Sequence, residues 1–205
     1  AGTLQAEVDK VCDDYDKLTS LKISGPMNSD DRRFIQEKLL NLRDVNMSEV
    51  DMEDGRLGGF YDHRMLQHFV FPQKGIHTIE GQAFFWAPLL GDLIIPEGVE
   101  TIGSYAFRDC RMTGHLILPS TLKRIEGGAF AINSLTGELH LPESLEYFGR
   151  GDYGTFQECD FEGTIYLPPS LTSLTDMNFP KMTGSIIIPR SVTTVEGFGG
   201  IGCTQ

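Results

Sequence analysis

The stretch Gly114-His-Leu-Ile-Leu-Pro-Ser-Thr-Leu-Lys-Arg-Ile-Glu-Gly-Gly-Ala-Phe-Ala-Ile-Asn133 decides the fold. Leu116 and Leu118 flank Ile117, so the two leucines share one face of a short strand and Ile117 takes the other. Pro119 ends that strand, because proline has no N–H to give a ladder. Leu122 and Ile125 point inward on the return, and Ala129-Phe130 closes the turn. The same tripeptide recurs along the chain as Leu21/Ile23, Val45/Met47, Phe69/Phe71, Leu93/Ile95, Leu116/Leu118, Leu139/Leu141, Ile165/Leu167 and Ile186/Ile188. Successive steps are 24, 24, 24, 23, 23, 26 and 21 residues. Gly91, Gly114, Gly137, Gly163 and Gly184 each stand two residues ahead of a tripeptide, and Pro72, Pro96, Pro119, Pro142, Pro168 and Pro189 each follow one. A period in the twenties marks a solenoid, whose coils bury their apolar faces only by stacking on one another.

The return side repeats as Val99/Ile102/Ala106-Phe107, Leu145/Phe148/Phe156 and Leu171/Leu174/Phe179. The coil holding Phe148 is lengthened by three residues around Gly149–Gly154, which predicts a protruding loop there. Three residues after each turn Phe comes Ala87, Cys110, Asn133, Cys159 or Met182. A buried Asn or Cys at such a position hydrogen-bonds turn backbone that has no ladder partner. No His and base accompany the cysteines in the pattern, so they do not read as catalytic thiols.

Residues 4–16 predict an N-terminal capping helix: Leu4, Val8, Val11, Cys12 and Tyr15 recur at helical spacing, with Thr3 as its cap. A strand follows with Leu18, Leu21 and Ile23, and Gly25-Pro26 reads as a turn. Ser29 is placed to cap a second helix with Asp30 and Asp31 in its first turn and Phe34, Ile35 and Leu39 facing the core. Leu42, Val45 and Met47 give the next strand. The polar, glycine-containing run Ser48–Arg64 reads as a long exposed loop. The chain thus divides as one domain over 1–205: a cap over 1–17, irregular first repeats and loop over 18–64, regular repeats over 65–198 and a tail over 199–205.

Bulk composition excludes several function classes. The chain has 205 residues, is 40% hydrophobic and carries a net charge of -12. An acidic chain without a Lys/Arg cluster is repelled by phosphate backbones, so no nucleic-acid partner is expected. No apolar run approaches the roughly 18 residues of a membrane span. The chain begins Ala1-Gly2-Thr3, with neither an initiator Met nor a signal stretch, and reads as processed. Cys110 and Cys159 lie two coils apart, about 10 Å at about 4.8 Å per strand, beyond disulfide reach. Cys12 and Cys203 fall at opposite ends, so four free thiols are expected.

The repeat L-x-L-P-x-S-L-x-x-I-x-x-x-A-F-x-x-C/N-x-x-T-G, matched almost throughout by residues 116–141, resembles the BspA-like, or Treponema-type, leucine-rich repeats of bacterial surface proteins. The openings Leu18-Thr-Ser-Leu-Lys-Ile-Ser-Gly-Pro-Met-Asn and Leu42-Arg-Asp-Val-Asn-Met-Ser resemble the N-terminal region of such proteins from gut Bacteroides. The resemblance covers about residues 18–198. It implies a right-handed leucine-rich repeat solenoid, dominated by parallel β-sheet with short helices and turns. It also implies a cell-surface or extracellular setting and an adhesion or binding role, with no catalytic motif and no cofactor to carry over. The chain departs from the pattern after Val195, where no Ala-Phe turn follows. That departure predicts further protein or cover of the last coil by association.

Function would then lie on the exposed sheet face. Its central row is Lys22, Asn46, Val70, Ile94, Ile117, His140, Tyr166 and Ile187. The six from Val70 onward form an apolar and aromatic stripe suited to a protein or glycan ligand, although β-branched residues also pair well across strands for stability alone. The row one pleat earlier is Ser20, Asp44, His68, Asp92, His115, Glu138, Thr164 and Ser185. His68–Asp92–His115–Glu138 has the donor chemistry for Zn²⁺, but alternating charge on a solvated sheet is the favoured reading, and no metal site is assigned. Asp92 and Glu138, about 9.6 Å apart at two strand spacings, fall near the carboxylate separation of inverting glycosidases without a sugar cleft around them. Asp51-Met-Glu-Asp-Gly lacks calcium-loop spacing. Trp86 at a turn reads as core edge or as an exposed anchor. A binding module is the leading expectation, with a structural spacer of a longer surface protein second and a carbohydrate-active enzyme third.

Overall fold

The computed structural model describes residues 2–150, 152–175 and 183–196. Helix α1 (Leu4–Val8) opens the chain, followed by a 3-10 turn at Tyr15–Lys17. Strand β1 (Ser20–Met27), helix α2 (Ser29–Lys38) and strand β2 (Asp44–Met52) complete the N-terminal coils. Strands then alternate between two walls. They are β3 (Arg56–Leu57), β4 (His68–Val70), β5 (Thr78–Ile79), β6 (Leu93–Ile94), β7 (Thr101–Ile102) and β8 (Leu116–Ile117). The series continues with β9 (Arg124–Ile125), β10 (Thr136–Glu138), β11 (Tyr147–Phe148), β12 (Asp160–Tyr166), β13 (Ser173–Thr175), β14 (Thr183–Ile187) and β15 (Thr194–Glu196). From β3 onward the even strands join β1 and β2 on the first wall, and the odd strands form the second. Every pairing is parallel, as a coil that returns to its starting side requires.

The second wall is one five-stranded ladder, Leu57–Ile79–Ile102–Ile125–Phe148 inward, continued by the β13–β15 pair. The first wall is divided into β1-β2-β4, β6-β8 and β10-β12-β14. Leu93, Ile95, Leu116, Leu139, Ile165 and Leu167 are buried as expected. Leu118 and Leu141 are only half-buried. Strands β8 and β10 end at Ile117 and Glu138, so these second members sit past the ladder, at the corner.

A column of aromatic rings fills the corner between the walls. Phe60, Phe84, Phe107, Phe130 and Phe156 stack nearly parallel, with centroids 5.3, 5.1, 5.6 and 5.6 Å apart and interplanar angles of 6, 5, 1 and 5°. All five are fully buried. Two residues after each ring the chain passes through the left-handed region, at Asp62, Trp86, Asp109, Ile132 and Glu158. That reversal aims the next side chain back inside. At this position Asn133 Oδ1 accepts from the backbone N–H groups of Cys110 (3.1 Å) and Met112 (3.2 Å), while Nδ2 donates to the carbonyls of Phe107 (2.7 Å) and Phe130 (2.9 Å). The thiols of Cys110 and Cys159 donate to the carbonyls of Phe84 (2.9 Å) and Phe130 (3.5 Å). Burial pushes the Cys110 thiol far up in pKa, so it stays protonated. Cys12, Cys110 and Cys159 carry thiols rather than disulfides. Phe179, Met182, Cys203 and the tail 199–205 lie outside the described residues.

The N-terminal half departs from its sequence reading in five places. The helix ends at Val8 instead of residue 16, and Val11 is 84% exposed. Asp9, Asp13, Asp14 and Asp16 crowd what would be its negative end, and Asp14 instead accepts from Asp16 N–H to start the 3-10 turn. Thr3 makes no side-chain cap. Asp31 does that work from α2, accepting from the N–H groups of Gly2 (2.8 Å), Leu4 (2.9 Å) and Asn28 (3.1 Å). Although burial pushes the Asp31 carboxyl up, these three bonds hold it below its ordinary value. Asn28, not Ser29, is the N-cap of α2, in a reciprocal box with Asp31. Gly25-Pro26 continues β1 after a bulge rather than turning the chain.

The largest correction concerns Ser48–Arg64, which is not an exposed loop. Strand β2 runs to Met52, β3 follows, and Val50, Met52, Leu57, Phe60 and His63 are buried. This segment is a full coil with a shortened turn: Leu57 to Phe60 spans 3 residues where Ile79 to Phe84 spans 5. His63 occupies the position of Asn133. Its Nδ1 meets the Tyr61 carbonyl at 3.2 Å, and its buried Nε2 completes no hydrogen bond.

The interior can be tested in two ways. Phe107→Ala, which opens a gap in the ring column, should cost about 3–5 kcal/mol, and Asn133→Ala about 1–3 kcal/mol. Chemical denaturation checks both, and an unmoved midpoint for Asn133→Ala would show that its amide serves no buried backbone. Desolvation lowers the His63 pKa below 6.5 in the fold. The unfolded chain therefore takes up a proton first, and stability falls as pH drops from about 6.5 toward the folded value, by at most about 1.4 kcal/mol per pH unit. Comparing melting midpoints at about pH 7.5 and about pH 5.5 should show a smaller drop for His63→Asn than for the parent.

Candidate functional site

Alternation along the strands puts the predicted row on the outside of the first wall. Ile94 is 56% exposed, Ile117 48% and Tyr166 66%, and Val70, His140 and Ile187 are exposed as well. The structure joins them in pairs rather than in one ladder. Val70 pairs with Asn46, Ile94 with Ile117, and Tyr166 with Ile187. His140 lies past the end of β10, with Nε2 3.4 Å from Glu138 Oε2. Breaks in the wall at β4/β6 and β8/β10 separate the groups.

The first break opens a groove. Phe69 and Phe71 stand where other coils carry Leu, Ile, Val or Met, and both turn toward the ring column. Phe69 contacts Phe60, Phe71 and Phe84 edge-on at centroid distances of 4.9, 4.9 and 4.8 Å. The resulting groove encloses about 520 Å³ between Phe69, Val70, Phe71, Ile94 and Pro96, with Gln73, Asp92 and Glu97 at its edge. Sequence reading placed Val70 and Ile94 on this face but missed the groove between them. Its one signal was the pair of rings at 69 and 71.

The row one pleat earlier does not converge on an ion. Asp92 Oδ1 accepts from His115 N–H (2.8 Å) and meets Nδ1 of the same ring (3.0 Å), and these bonds hold the Asp92 carboxyl below its ordinary value. Glu138 pairs with Glu162, not with Thr164, because register at β10–β12 follows a 24-residue step. Among the described residues no three His, Cys, Asp or Glu side chains gather as metal ligands. Asp92 and Glu138 lie on opposite sides of the β8/β10 break.

A second cluster, unforeseen in the sequence, covers the outside of the ring corner. The Arg108 guanidinium lies over the rings of Tyr153 (3.9 Å), Phe85 (5.0 Å) and Tyr105 (5.4 Å), and its Nε is buried without a hydrogen-bond partner. Ring faces hold this cation, as their negative quadrupole permits. Tyr153 comes from the lengthened coil, and Asp152 N–H donates to Tyr105 Oη (3.2 Å). The described part of the Gly149–Gly154 insertion therefore folds back onto the corner instead of protruding. Gly128, at φ +67°, makes room, since a Cβ there would strike the Tyr105 ring. Trp86 is half-buried beside this cluster, donating Nε1–H to Asp109 Oδ2 (2.9 Å) under the Arg64 guanidinium (4.7 Å). It is a fixed part of the corner, not a free anchor.

Gly128→Ala should cost about 1–3 kcal/mol, through left-handed backbone strain and the collision with Tyr105. Thermal melting with near-ultraviolet circular dichroism checks this. An unchanged midpoint would show that the tyrosine swings aside freely.

A family model described as the BspA type leucine-rich repeat region matches this chain in six copies over residues 57–184. Two solved structures resemble it. A leucine-rich repeat protein from Bacteroides ovatus is 20% identical at a TM-score of 0.50, over 89% of this chain and 56% of that one. The T. pallidum leucine-rich repeat protein is 17% identical at a TM-score of 0.50, over 86% of this chain and 72% of that one. The chain thus spans little more than half the length of the Bacteroides protein. At these identities the likeness speaks for the fold. None of the curated proteins matches.

Proposed function

The chain belongs to the BspA-type leucine-rich repeat family, and from that premise we propose that it is a non-enzymatic binding module of the bacterial cell surface, docking its partner on the first wall. A repeat family of this kind supplies binding or structural modules, and leucine-rich repeat domains commonly bind proteins. The observation that favours binding is the exposed row Val70, Ile94, Ile117, Tyr166 and Ile187. Cross-strand pairing gives a spacer some use for these side chains, but an interface also removes their apolar surface from water. Aliphatic surface at Ile94 and Ile117 favours a protein partner. Tyr166, flanked by polar side chains, is the one ring on the row that could stack on a sugar.

The test is a panel of extracellular-matrix proteins together with a glycan array, probed with the parent and with Ile94→Asp/Ile117→Asp. Both side chains are about half in water, so the fold should survive, while a carboxylate at an interface centre is costly. The expected result is loss of partner binding with unchanged circular dichroism. Equal binding by parent and variant would remove the first wall as the docking surface and favour the spacer.

A further inference from the structure

The groove at the β4/β6 break lies within the docking face just proposed, and the inference that follows rests on that reading. We propose that the groove takes an extended polypeptide segment in which an apolar anchor side chain is flanked by lysine or arginine.

Its lining is mostly apolar and aromatic: Phe69, Phe71, Val70, Ile94 and Pro96. At about 520 Å³ it falls within the roughly 300–1,000 Å³ of pockets that bury a ligand's apolar parts. Val70 and Ile94 are exposed on either side of it, so an anchor entering the groove would remove both from water together.

The rim is anionic and already ordered. Asp92 is tied to the next coil by its two bonds from His115, the backbone N–H bond being the larger cause of its lowered pKa. Glu97 accepts from Ser120 N–H and Ser120 Oγ–H, both at 3.0 Å. Carboxylates held this way lose little freedom when a cation arrives. The rest of the wall has the same sign. Asp44, Glu138 and Glu162 are exposed on it, and across its two outward rows Lys22 is the sole Lys or Arg, itself paired with Glu49 at 2.6 Å. The whole chain carries -12. An acidic segment would meet repulsion here, and a neutral one would gain nothing from the two carboxylates, so charge complementarity selects the cationic partner.

The probes are two capped hexapeptides with a common Leu-Phe core, one flanked by arginines and one by glutamates. Both are titrated calorimetrically into the full chain at about 50 and about 300 mM salt, beside an array of neutral and acidic oligosaccharides. The arginine peptide should bind at least about tenfold tighter than the glutamate peptide, and its affinity should fall about tenfold at the higher salt. Asp92→Lys/Glu97→Lys, which alters exposed side chains only, should invert the preference. Equal affinity for the two peptides, no peptide binding up to millimolar concentration, an unaltered preference in the double variant, or binding of oligosaccharides alone would each overturn the proposal. The two readings fail separately. Should Ile94→Asp/Ile117→Asp lose its panel partner while the charge variant keeps it, the docking face stands and the cationic partner falls. Should the charge variant invert the peptide preference while Ile94→Asp/Ile117→Asp keeps every panel partner, the groove stands and the wider face falls.

Discussion

Everything in this fold is arranged around one distance, the rise from coil to coil. Parallel strands fix it near 4.8 Å, and flat aromatic rings stack offset at 4.5–7 Å, so a Phe at the same place in each coil can satisfy both. The five-ring column does so with centroids 5.1 to 5.6 Å apart. Its cost is conformational. After each ring the chain must double back sharply, and it does so through left-handed backbone at five non-glycine residues. Ile132 is the most expensive of these, since a β-branched side chain crowds its own backbone there. The reversal also leaves turn carbonyls without ladder partners. Asn133, Cys110, Cys159 and His63 are set inward to meet them, which makes the polar ladder a consequence of the ring column.

The regular part of this arrangement is legible in the sequence because it depends on spacing. The 23- to 24-residue steps alone locate the strands, the Phe positions and the inward Asn and Cys. What escapes depends on exceptions to spacing. The coil over residues 48–64 is hidden by a turn two residues shorter than its neighbours and by glycines that resemble a loop. Gly59 is required there because its position faces the Arg32 carbonyl on α2, where a Cβ would come within 2.8 Å. Arg32 is itself buried against Asp54, whose carboxyl it holds low, at 2.9 and 2.7 Å. The cap misleads for a similar reason: helical periodicity over residues 4–16 is real, but the aspartates at its end oppose the dipole, and the residue that caps α1 lies on α2.

The candidate site is half legible. Period-two alternation is enough to put Ile94, Ile117 and Tyr166 outside. It cannot reveal that the wall is cut twice, because alternation fixes which face a side chain takes and not where neighbouring strands stop pairing. Phe69 and Phe71 satisfy the inward pattern as well as leucines would, yet their rings engage Phe60 and Phe84 of the column. The Arg108 cage is equally invisible, since Tyr105 and Tyr153 stand 48 residues apart in the sequence and meet across Gly128.

These exceptions have a common logic. A solenoid built on one repeated spacing presents the same surface from coil to coil, and sameness gives a partner nothing to register against. Distinct places arise only where a coil departs from the rule, and two of this chain's departures make such places. Oversized inward rings at β4 flank the groove in the first wall, while the described part of the lengthening after Phe148 folds back onto the ring corner, where Tyr153 covers Arg108. The closed corner satisfies its own cation with ring faces and leaves little for a ligand to add. The groove keeps an apolar floor in water beneath carboxylates that the neighbouring coil already holds, and that imbalance is what an incoming chain can relieve.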